Sequence, residues 1–126
     1  MDITPIASGS AGNAYIVTDG ETKILLDCGL PFRKLQGELW KLNIKISDIK
    51  ACLVSHEHGD HVKAAQKLAD NGVDIYASTG TIEAAGLSGH WVHEMQAVEH
   101  INGFTVYKFD AIHDAKEPLG FVLDDS

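Results

Sequence analysis

The apolar run Ile49-Lys50-Ala51-Cys52-Leu53-Val54 leads directly into Ser55-His56-Glu57-His58-Gly59-Asp60-His61, and this junction constrains the chain more than any other feature. A short apolar run of this kind predicts a buried strand. The segment after it carries His56, His58, Asp60 and His61, side chains of the types that ligate metal ions. In an extended or turning segment alternate residues point the same way, so His56 and His58 can grip one ion together. Asp60 and His61, at the start of a following helix, point elsewhere, towards a second ion. Divalent zinc-like ions take imidazole nitrogen and carboxylate oxygen, and a catalytic site keeps one coordination position open for water. Ligands placed just beyond a strand's C-terminal end also sit where α/β folds build their sites. Glu57 alternates away from its neighbours and is expected in solvent or behind the ligands. Structural zinc sites usually recruit cysteine, and neither Cys28 nor Cys52 lies in the run. Both are expected to be buried, reduced thiols.

The rest of the chain supplies a frame for this loop. Asp2 to Ala7 and Ala14 to Thr18 read as strands around the turn-rich loop Ser8-Gly9-Ser10-Ala11-Gly12-Asn13. Asp19-Gly20 turns into a strand over Lys23 to Asp27. Phe32, Leu35, Leu39 and Leu42 form one helical stripe after Pro31. Val62, Ala65, Leu68 and Ala69 predict a second helix closed by Asn71-Gly72. Val73 to Ala77 is a strand, Thr79 to Ala85 a short helix, and Phe104 to Ile112 and Gly120 to Leu123 are strands. This order predicts a mixed α/β (α+β) domain with helices outside layered sheet. His90, His93 and His100 are read as ordinary surface or core histidines.

With 126 residues the chain has room for one domain, here 1–126. No run approaches the roughly 20 apolar residues of a membrane span, and no secretory signal is visible at the N-terminus. A cytoplasmic protein with no membrane partner is the expectation. The net charge of −8 is uneven. Five basic residues between Pro31 and Lys50 face only Glu38 and Asp48, giving 5 − 2 = +3, while from Glu83 onward two lysines face eight acids, giving 2 − 8 = −6. An acidic chain does not attract nucleic acid through its overall field, although bound cations would add positive charge locally.

His56-Glu57-His58-Gly59-Asp60-His61 resembles the H-x-H-x-D-H signature of the metallo-β-lactamase superfamily. Asp27-Cys28-Gly29 looks like that family's Asp-x-Gly element. The Ser8 to Asn13 loop looks like the Ser/Gly-rich loop of its nuclease and phosphodiesterase branch, which includes ribonuclease Z and related bacterial exonucleases. Ile112-His113-Asp114-Ala115 looks like the segment supplying the next histidine. The resemblance implies an αββα sandwich binding two divalent ions, zinc in first place and manganese or iron otherwise. It implies that His56, His58 and His113 ligate the first ion, and Asp60 and His61 the second. Asp27 would support the histidine loop, and Asp60 would also orient the attacking water.

The resemblance covers the N-terminal half of that fold. The family's bridging aspartate and last histidine lie beyond Asp124-Asp125-Ser126, and the domain is expected to be C-terminally incomplete. A shortened chain, completion by self-association or a second chain, and a degenerate remnant are the three explanations that follow. The implied function is metal-dependent hydrolysis of a phosphodiester in nucleic acid or a nucleotide, with backbone N–H groups around Ser8, Ser10, Gly12 and Asn13 contacting phosphate. Hydrolysis of thioester or other carbonyl substrates, and a non-catalytic metal-binding module, are the alternatives.

Overall fold

The computed structural model describes residues 1–10, 12–112 and 114–126. The first sheet is built from β1 (Asp2–Ala7), β2 (Ala14–Thr18), β3 (Lys23–Leu26), β4 (Ile49–Leu53), β5 (Asp74–Ala77) and β6 (Val92–Glu94), in that spatial order. β1, β2 and β3 pair antiparallel, whereas β3, β4, β5 and β6 run parallel. Parallel strands need crossovers. They are made by α1 (Phe32–Lys41) with a 3-10 turn at Ile46–Asp48, by α2 (Gly59–Val62) and α3 (Ala65–Asp70), and by α4 (Thr79–Ala85). A second sheet contains β7 (Val98–Ile101), β8 (Phe104–Asp110) and β9 (Leu119–Asp124), all antiparallel.

Side chains alternate across the first sheet, so its two faces carry separate cores. Leu25, Cys52 and Ile75 face the helices and pack with Leu35, Leu39 and Leu68. Ile24, Ala51 and Leu53 face the second sheet and pack with Phe104, Val106 and Leu119. The layers are therefore helices, sheet, sheet. The outer face of the second sheet leaves Val98, Tyr107, Phe109 and Val122 exposed. No helix among the described residues is long and apolar enough to cross a membrane.

Most expected elements are present with small changes of boundary. Strands β6 and β7 were not expected, because Val92-His93-Glu94 and Val98-Glu99-His100-Ile101 lack a long apolar alternation. The helix expected from Val62 is instead two pieces, α2 and α3. The Ala64 N–H donates to the Cys28 carbonyl at 2.9 Å, which breaks the ladder where the chain docks on the end of β3.

Candidate metal centre

The histidine loop is fastened on three sides by backbone hydrogen bonds. Asp27 N–H donates to Leu53 O, Cys28 N–H to His61 O and Asn13 N–H to Asp60 O, each at 2.8 Å. Leu119 N–H donates to Ser55 O, also at 2.8 Å, and ties the second sheet to the loop. Gly29 lies so close to this loop that a Cβ would run into the Asp60 carbonyl. The Asp-x-Gly spacing thus has a local cause: only glycine lets the two segments touch.

Asp27 turns with φ +60°, a left-handed conformation that aspartate tolerates better than most residues. Its Oδ1 accepts the Ser55 N–H at 2.7 Å, and its Oδ2 accepts the Ser55 hydroxyl at 2.9 Å. The same Oδ2 lies 2.7 Å from His61 Nδ1. Burial pushes the Asp27 carboxyl above the usual carboxylate range, and the bonds from Ser55 and His61 oppose that shift.

Counting protons along this network sets two tautomers. An ionised Asp27 requires the hydrogen on His61 Nδ1, which leaves His61 Nε2 as the nitrogen with the lone pair. Asn13 Nδ2, at 3.3 Å, can donate to that nitrogen. Ser55 has one hydroxyl hydrogen and gives it to Asp27, so the 2.8 Å contact between Ser55 Oγ and His56 Nδ1 puts a proton on His56 Nδ1. His56 Nε2 then carries its lone pair. One carboxylate arranges both rings.

The imidazoles of His56 and His61 lie 4.0 Å apart between centroids, and those of His56 and His58 lie 4.8 Å apart, edge to face. Asp60 Oδ2 stands 3.7 Å from His61 Nε2, beyond hydrogen-bond range. His56 therefore has both His58 and His61 as ring neighbours. The donor chemistry of imidazole nitrogens with one carboxylate fits a zinc-like divalent cation. Among the described residues no group of three or more such donors is placed to hold an ion. His113, expected as a ligand, lies outside the described residues.

Within the Ser8 to Asn13 loop, Gly9, Gly12 and Asn13 are engaged with the chain itself. Gly12 N–H donates to Gly9 O, Gly9 N–H to Asn13 Oδ1, and the Asn13 amide to Gly9 O and Asp60 O. Of the expected phosphate donors, Gly12 and Asn13 are committed, while Ser8 and Ser10 are exposed. Asn13 instead braces His61 and the Asp60 carbonyl. Glu57 has a structural partner that the sequence did not suggest: its Oε2 accepts the Lys116 N–H at 2.9 Å. Ser55 is the other residue that sequence reasoning passed over; its place directly before His56 was the available signal. His93 lies elsewhere, 2.7 Å from Asp74; His90 stands edge-on to the Trp91 ring, and His100 Nδ1 lies 3.4 Å from the Thr105 hydroxyl.

The layered fold and the loop at the ends of β3 and β4 agree with the metallo-beta-lactamase superfamily, whose family model matches residues 7–123, and the chain belongs to that superfamily. Among curated proteins, it is 32% identical over 132 residues to the exodeoxyribonuclease WalJ of Streptococcus pneumoniae serotype 2, covering 95% of this chain and 49% of that protein. It is 30% identical over 131 residues to the exodeoxyribonuclease YycJ of Bacillus anthracis, covering 98% of this chain and 50% of the relative. The chain thus spans about half the length of these curated relatives. Among solved structures, the Rm3 metallo-beta-lactamase superposes with a TM-score of 0.79 at 17% identity, over 96% of this chain and 53% of that one. The metallo-beta-lactamase fold protein YhfI of Bacillus subtilis gives 0.76 at 20% identity, over 98% and 57%. The superfamily implies divalent metal ions.

Proposed function

We propose that this chain carries the metal-binding half of a phosphodiesterase site acting on DNA, with His56, His58 and His113 holding one cation and Asp60 and His61 a second. The observation that carries the reading is the Asp27–Ser55 network, which leaves Nε2 as the lone-pair nitrogen of both His56 and His61 in a loop of ligand-type side chains. The nuclease naming of the relatives favours a phosphodiester over a carbonyl substrate.

A divalent cation bound there lowers the pKa of a water and offsets negative charge on phosphoryl oxygens. The chain's own part is positional. Asp27 holds the Nδ1 proton of His61 directly and that of His56 through Ser55, so neither ring can flip or change tautomer without losing a hydrogen bond. Asp60, partly exposed beside His61, would orient a water by accepting its hydrogen bond. Ser8 and Ser10 remain as donors towards a phosphate.

The test is His58→Ala. The variant should lose both metal retention, read by elemental analysis after dialysis, and cleavage of an end-labelled DNA strand with Mn²⁺ or Zn²⁺. Cleavage at the parent rate would place the chemistry elsewhere. Metal content of the parent chain separates the alternatives: about two ions support the paired site, and none supports a module without catalysis.

A further inference from the structure

We propose that the exposed face of α1 is a docking track for single-stranded nucleic acid, a reading that rests on the DNA substrate proposed above. The helix buries Leu35 and Leu39. Its opposite face places Arg33, Gly37 and Trp40 at i, i+4 and i+7, one stripe along the axis. Beside this stripe runs an open groove of about 790 Å³, lined by Arg33, Gly37, Trp40, Lys45 and the isoleucines 44 and 46.

Three observations fit one occupant. Trp40 is 62% exposed, a large ring left in solvent at the groove wall. The charged side chains lining the groove, Arg33 and Lys45, are both cationic, in a chain of net charge −8. The nearby Glu38 is paired with Lys41 at 3.2 Å. Gly37 is the third. Glycine is among the poorest helix formers, yet a Cβ here would meet nothing within 4 Å and the residue has no positive φ. Packing does not require it, and without a side chain here the middle of the stripe is open to close approach of an occupant to the helix backbone.

An exposed aromatic ring flanked by cations is how proteins bind unpaired strands, the base stacking on the ring and the phosphates lying along the charges. A duplex hides its base faces and would not use Trp40. α1 follows Asp27 to Pro31, so its Arg33 end lies on the side of the histidine loop, and the helix of ten residues carries the track about 15 Å away from it.

The experiment uses Trp91→Phe, which leaves Trp40 as the sole tryptophan, titrated with oligo(dT) of about 12 nucleotides in EDTA. Trp40 emission should be quenched saturably. Trp40→Ala, which lacks the reporter ring and is followed instead by fluorescence anisotropy of an end-labelled oligo(dT), should weaken binding by about 10-fold or more, and Arg33→Glu and Lys45→Glu should weaken it and flatten its salt dependence. Gly37→Ala should raise the melting temperature and still weaken binding, a combination that simple damage to the helix cannot produce. Absence of quenching, equal affinity in Trp40→Ala, or a Trp40 emission change with protein concentration alone would overturn the proposal. Trp40-dependent binding in a chain that cleaves nothing would keep it and remove the hydrolase reading. Cleavage with Trp40-independent binding would do the reverse.

Discussion

His61 Nδ1 meets Asp27 Oδ2 at 2.7 Å across 34 residues of sequence. The bond fixes the ring's orientation and its tautomer, and partners of this kind are worth about 10- to 100-fold in metal affinity. Asp27→Asn removes the charge and leaves one acceptor for three donors. It should weaken Zn²⁺ or Mn²⁺ binding within that range, read by competition with a chromophoric chelator. Unchanged affinity would mean that Asp27 serves only the fold.

Ser55 links the same carboxylate to His56. In the metal-free protein, long-range ¹⁵N spectra should show His56 protonated at Nδ1. Ser55→Ala should shift that ring towards the other tautomer and weaken metal binding, and Ser55→Thr should restore both. An unaltered His56 signal in Ser55→Ala would break the relay.

Gly29→Ala puts a methyl group into the Asp60 carbonyl. Overpacking of this kind costs about 1–3 kcal/mol, and at this chain length that is a fall of several degrees or more in Tm. Circular dichroism melting checks it, and a Tm equal to the parent's would show that the loop yields freely.

The buried thiols offer a pH test. The contact with Cys28, then burial, push Cys52 well above the ordinary thiol value. The native state therefore holds the neutral thiol while the unfolded chain ionises, so stability should fall as pH rises past about 9. Cys52→Ala should flatten that alkaline decline in urea titrations, and both thiols should resist Ellman's reagent until the chain unfolds. Rapid labelling of the native protein would contradict their burial.

On the second sheet, Val98 pairs with Tyr107 and Tyr107 with Val122, and Phe109 covers Gly120 on the same outer face. This exposed apolar row should drive self-association at high concentration. Light scattering should give a mass above one chain, reduced by Tyr107→Lys with Val122→Lys. A clean monomer at high concentration would count against it.

Local pattern was enough to locate much of this protein. The stripe from Phe32 to Leu39 specified α1, the apolar run from Ile49 specified β4, and the ligand types from His56 to His61 marked the candidate site. These are contiguous signals, and the chain reads them over a few residues. Tertiary contacts decided the rest. They cut the helix at Ala64, where the backbone turns to Cys28, and they recruited Val92 to Glu94 as a strand beside β5 despite its weak pattern. They also made Asn13 a brace of the histidine loop and Ser55 a link between Asp27 and His56. A side chain's hydrogen-bond partners depend on which distant segments the fold brings together, and no spacing along the chain encodes that distance.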